Sequence, residues 1–265
     1  MKRRLLAAGF LTISWLWSSP VTAAVFSKIY AFGDSLSDNG NVFANTGWFP
    51  PPPYFQGHFS NGNVWVQNLA ESLGVELFDA AFGGATTGDK NTLNGTFSGL
   101  LGIEQQINNF VASHSPMADP DALYTIWGGA NDYLPTNSTT FVPFATPDTT
   151  LSNLKMAVNS LANIGARKLA ILNLPNLGEV PRTRASLDGI CPPNQQFDAD
   201  CLNELTAAHN TGLASLIASL NPGLQITLVN INSFFNEAIT NPGEFGFTFN
   251  RKKAPAITVL RLAVR

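Results

Sequence analysis

The stretch Lys28-Ile29-Tyr30-Ala31-Phe32-Gly33-Asp34-Ser35-Leu36-Ser37-Asp38-Asn39-Gly40-Asn41 reads as a short apolar strand running into a polar, glycine-containing turn that carries a serine. A serine at such a strand-to-helix turn can be exposed as a nucleophile, and the segment after it is expected to cap and open a helix whose amides and dipole favour an oxyanion. A serine hydroxyl is a poor nucleophile at neutral pH until a neighbouring base takes its proton.

Outward from this strand the same rhythm repeats. Apolar runs at Lys28–Gly33, Val75–Ala80, Ala122–Trp127, Lys168–Leu174 and Gln225–Ile231 alternate with segments whose apolar residues recur at three- and four-residue spacing, at Val64–Leu73, Ile103–Ser113, Asp148–Ile164 and Asn203–Leu220. Strands alternating with helices predict a parallel sheet covered by helices, an α/β fold. Two long loops interrupt the pattern, Trp48–Asn63 with four consecutive prolines and the Gly-, Asn- and Thr-rich Thr86–Gly102. Both follow strands that would carry site residues, so they are expected to shape a substrate entrance, the alternative being surface decoration. Their aromatics (Trp48, Phe49, Tyr54, Phe55, Phe59) suit either packing or an acyl chain.

Acyl transfer needs preformed donors at the developing oxyanion, and two later strand ends offer them. Phe82-Gly83-Gly84-Ala85 lets a backbone amide approach closely, and Gly128-Gly129-Ala130-Asn131-Asp132 presents a side-chain amide after two glycines.

These segments together resemble the GDSL, or SGNH, family of serine ester hydrolases, in its large lipase and acylhydrolase branch. The resemblance runs from about residue 28 to about 249. It implies a three-layer α/β/α sandwich with a flavodoxin-like, five-stranded parallel sheet. It also implies Ser35 as nucleophile, with Gly84 and Asn131 in the oxyanion hole; Gly84 lies five residues after Asp79, where the family usually has asparagine. The segment Gly57–Trp65 is similar to the branch too, with His58 where an arginine is frequent, and His58 is expected to contact substrate.

The family's last block, Asp-x-x-His, supplies the general base and its orienting acid, and no aspartate in this sequence has a histidine three residues on. After Phe249 five of the 15 basic residues fall in the final 16 positions (Arg251, Lys252, Lys253, Arg261, Arg265), without an acidic one. Residues 250–265 therefore read as a frameshifted or truncated end, or else a divergent tail with an edge strand from Ala256 to Val264. Of the three histidines, His209 lies on an expected amphipathic helix, where a surface or partly buried place is anticipated, and His114 ends a helix, where it complements the dipole. Two activities follow: a carboxylic ester hydrolase working through a Ser35 acyl-enzyme, impaired by loss of the base, or an inactive remnant that binds esters without turnover.

Composition bounds the rest. A basic start (Lys2, Arg3, Arg4), an apolar run from Leu5 to Trp17 and small residues through Ala24 read as a signal peptide over residues 1–23, the run being short of the ~20 residues that span a bilayer. Export to a secreted or periplasmic location follows, with one hydrolase domain over 24–249. Charged residues are 12% of the chain and the net charge is −3, which excludes the basic field that nucleic acid requires. Cys191 and Cys201 could close one disulfide in an oxidising compartment. No cofactor and no metal is called for.

Overall fold

The computed structural model describes residues 26–115, 117–136, 138–180 and 199–247. The expected leader, the 250–265 tail and Cys191 lie outside the described residues.

Five parallel strands form one sheet in the order β2-β1-β3-β4-β5: β1 Lys28–Gly33, β2 Glu76–Asp79, β3 Leu123–Trp127, β4 Lys168–Leu172 and β5 Gln225–Val229. This is the flavodoxin-like order that the sequence implied, and its switch point lies between β1 and β3, where such sheets open a crevice beyond their carboxyl ends. β1 and β3 are buried along nearly their whole length, as continuous apolar runs require when helices cover both faces. The edge strands alternate between exposed and half-buried residues.

Alternation along β1 sorts its side chains between two cores. Tyr30 and Phe32 join Tyr124, Ile126, Leu169 and Ile171 on one face, beneath α3 (Ile103–His114), α5 (Asp148–Asn163) and α6 (Ala199–Ala218). Phe110 of α3 sits at the centre of that layer, its ring 4.7 Å from Tyr30 and 5.4 Å from Phe32. Ile29, Ala31 and Leu123 face the other way, against Val66 and Ala70 of α2 (Trp65–Leu73).

Short helices complete the described residues: α1 (Asn41–Thr46), α4 (Ala130–Tyr133) and α7 (Ile231–Thr240). The strand expected to reach Ile231 stops at Val229, because Asn230 turns the chain into α7 and caps it, its side chain accepting from the Ser233 N–H at 3.0 Å. Beyond the sheet ends, side-chain amides act as surrogate strands. Gln106 of α3 accepts from the Gly33 N–H and donates to the Gly33 carbonyl, both at 2.9 Å, and Asn210 of α6 brackets Leu174 in the same way at 3.0 and 2.9 Å. Each clamp pairs a backbone N–H that would otherwise lack an acceptor and adds a second donor to a carbonyl that also accepts from Phe82 N–H or Asn232 Nδ2.

Candidate active site

Ser35 follows β1 directly. The chain turns tightly there, with the N–H groups of Ser37 and Asp38 both donating to the Asp34 carbonyl at 3.0 Å and Leu36 N–H donating to Asp34 Oδ1 at 3.0 Å. The expected helix does not open on Ser35: Ser35, Leu36 and Ser37 form a turn, and α1 begins only at Asn41. Among the described residues no helix begins at the nucleophile, and what positions it is the turn and the clamp on Gly33. Gly33 must lack a side chain, because a Cβ there would lie 2.5 Å from the Trp127 carbonyl of β3. Ser35 is half-buried, and its hydroxyl has no hydrogen-bond partner among the described residues.

Asp38 fastens the second segment to the first. Its buried carboxylate accepts from the N–H groups of Gly40, Asn41 and Val42 and, at 2.7 Å, from Gly83 N–H, 45 residues away. Asp79 does the same from the other side, accepting from Ala81 N–H at 2.9 Å and Asn39 N–H at 3.2 Å. An asparagine at 79 could not accept at both oxygens, so the aspartate suits the local bonding. Gly84 follows at φ +78°, a left-handed conformation held open by Asn91, which donates from Nδ2 to the Gly83 carbonyl at 2.8 Å.

The third segment is tied to the second. Asn131 Nδ2 donates to the Ala85 carbonyl at 3.0 Å, leaving its other amide hydrogen for a ligand. Asp132 beneath it accepts from the Thr87 N–H at 2.9 Å and from the hydroxyls of Thr87 and Thr150 at 2.6 and 3.1 Å. Ser35, Gly84 and Asn131 thus follow the carboxyl ends of β1, β2 and β3, three adjacent strands.

The histidines lie elsewhere. His58 is buried in its loop, Nδ1 at 3.0 Å from the Gly62 carbonyl and the ring against Phe55. His114 stacks on Phe110 at 4.0 Å. His209 is fully buried rather than on the surface of α6; its Nδ1 is 2.8 Å from the Tyr133 hydroxyl, its Nε2 has no partner among the described residues, and burial pushes it down to about 4. No hydrogen bond joins any of them to Ser35 among the described residues.

The two long loops pack on each other over the site. Phe49 contacts Phe59 at 5.8 Å and Phe97 at 5.2 Å, and Phe59 lies so close to Gly83 that a Cβ there would be 2.2 Å from its ring. Sequence reasoning missed the residues that hold the segments together: Asp38 as a clamp, Gln106 and Trp65, whose Nε1 donates to Ser37 Oγ at 3.1 Å. Asp38 and Trp65 lay in segments the sequence had singled out, the opening stretch and Gly57–Trp65, whereas Gln106 carried no signal.

With this geometry in view, comparison places the chain plainly: it belongs to the GDSL-like lipase/acylhydrolase family, whose sequence model matches residues 29–257. The match continues past 249, where similarity was expected to end. Over 228 residues the chain is 31% identical to the phosphatidylcholine-sterol acyltransferase of Aeromonas hydrophila, covering 84% of this chain and 64% of that protein. It is 28% identical to the thermolabile hemolysin of Vibrio parahaemolyticus, over 83% of this chain and 49% of the relative, and 28% identical to a GDSL esterase/lipase of Arabidopsis thaliana, over 82% and 71%. The chain thus spans about half to two thirds of the length of the two bacterial relatives.

Two predictions follow from the clamps and the buried carboxylates. Asp38→Ala leaves the buried Val42 and Gly83 N–H groups without this acceptor, with those of Gly40 and Asn41 half-buried beside them, at about 1–3 kcal/mol for each buried group, so urea denaturation should show a loss of at least about 2 kcal/mol; a loss under about 1 kcal/mol contradicts the clamp. Burial pushes Asp34 up to about 7 and Asp132 up to about 6, against 3.8 for both before folding. Between those limits the folded state binds more protons than the unfolded one, so these groups make stability fall as pH rises. Asp34→Asn, which keeps the acceptor for Leu36, should flatten that fall between about pH 4.5 and 7.5; an unchanged slope refutes the assignment.

Proposed function

We propose that the chain is a carboxylic ester hydrolase in which Ser35 Oγ attacks the ester carbonyl. The observation that supports this reading is that Ser35, Gly84 and Asn131 each follow one of three adjacent strand ends, with Asp38 and Asp132 tying the loops together. As the carbon becomes tetrahedral, its oxygen takes up charge and can accept from the Ser35 and Gly84 N–H groups and from Asn131 Nδ2. The proton lost from Ser35 Oγ passes through solvent to the leaving alkoxide, which departs as the alcohol, and water then cleaves the acyl–Ser35 bond to give the carboxylic acid and restore the hydroxyl. Lipid esters fit the family, and small esters enter by the same chemistry; His58 serves the loop that borders the substrate. The basic and apolar leader supports export to a secreted or periplasmic location, and no helix among the described residues is long and apolar enough to cross a membrane.

What this sequence does not offer Ser35 is an imidazole base: all three histidines are described, and each is engaged elsewhere. Removing one member of a catalytic triad still leaves about 10³–10⁴-fold acceleration over water from the oxyanion hole and binding. With the residues of this sequence alone, ester hydrolysis is expected to be slow. The second reading, a protein that binds esters without turnover, is favoured by the same missing base.

Hydrolysis of p-nitrophenyl esters separates the two. The expected rate is at least about a thousandfold below that of the Arabidopsis relative, and lost in Ser35→Ala. Turnover at the relative's own rate refutes the impairment, and residual turnover that survives Ser35→Ala refutes Ser35 as nucleophile.

A further inference from the structure

From Ile29 to Ala70 the chain has no lysine, arginine or glutamate, and its two aspartates, Asp34 and Asp38, are both buried. Within this stretch lie Leu36, Phe43, Trp48 and Phe55, exposed by 40, 39, 58 and 39%, half of the large apolar side chains so exposed among the described residues. Pro51, Pro52 and Pro53 are exposed beside them. The others are scattered over separate elements: Phe78 on β2, Met117 before β3, Val142 in a loop and Met156 on α5.

Phe43, Trp48 and Phe55 are linked through shared neighbours. Phe43 of α1 packs on Gly57, where a Cβ would meet its ring at 2.4 Å, and the Gln56 carbonyl lies 3.8 Å from the Cβ position of Gly40. Trp48 rests on Phe49 and Phe97 at 5.7 and 5.8 Å, and Phe55 is bonded back to Ser60 and His58 through its own N–H and carbonyl. Leu36 is the neighbour of Ser35. Trp48 is thus held by the half-buried Phe49 and Phe97, Phe43 by the backbone at Gly57 and Phe55 by its loop, and the same stretch exposes the uncharged amides Asn45, Gln56, Asn61 and Asn63.

An exposed apolar patch of this kind marks an interaction surface, and tryptophan beside uncharged polar groups suits the boundary between headgroups and acyl chains. An anionic bilayer draws proteins through lysine and arginine, which this patch lacks, in a chain whose net charge is −3. We propose that this face docks on a bilayer surface of zwitterionic lipid, presenting Ser35 to esters at the interface. The inference deepens the ester-hydrolase reading and rests on it for what meets Ser35.

Binding is measured with the full chain as Ser35→Ala, so that no lipid is consumed and failure of the ester assay stays a separate result. Flotation with phosphatidylcholine vesicles should recover the protein equally at about 0.05 and about 0.5 M salt. Adding Trp48→Ala and Phe55→Ala should lower partitioning at least about tenfold. Val142→Ser with Met156→Ser, exposed elsewhere, should leave it unchanged, and circular dichroism should show all variants folded. The proposal is overturned by absence of flotation, by flotation only with anionic lipid, by equal loss in the Val142/Met156 variant, or by sedimentation showing that the patch closes a dimer of this chain.

Discussion

The carboxylate of Asp38 is the constraint on which the rest of the site depends. A buried carboxylate is costly unless its oxygens are satisfied, and Asp38 is satisfied by amides from two parts of the chain: the entry to α1 and the turn at Gly83. That shared acceptor holds the Gly84 segment beside the Ser35 turn. Burial raises the Asp38 carboxyl above its ordinary range, while the donated N–H groups pull it back. Asp79 and Asp132 repeat the device at the neighbouring joints, so the loops at the strand ends are stitched by acids accepting from backbone and hydroxyl groups rather than by ion pairs.

This explains which parts of the molecule were legible in the sequence. The five strands were readable to within two residues because each is a short apolar run bounded by a turn, and the long helices because their apolar residues recur every three or four positions. The short α1 and α4 were not, since their stability comes from the loops around them. Gln106 gave no sign of its role: as a polar residue on an amphipathic helix it looks like a solvated one, and its partner Gly33 is 73 residues away.

The candidate site residues were named from the sequence, while the bonding that holds their loops was not. Ser35, Gly84 and Asn131 could be picked out because each falls where a strand ends in small or polar residues. That Ser35 sits on a turn rather than at a helix start depends on how Asp34 and Asp38 spend their hydrogen bonds, which spacing does not reveal. The burial of His209 against Tyr133 likewise follows from α6 packing over α4, a long-range contact.

The central proposal is a Ser35 nucleophile that no imidazole in this sequence assists. The direct measurement is the rate at which a fluorophosphonate adds to Ser35, followed by intact mass across the pH range. Without a histidine base, labelling should climb continuously from about pH 6 to about pH 9 as the hydroxyl ionises. A rate that levels off near pH 7, as an imidazole titrates, would contradict it.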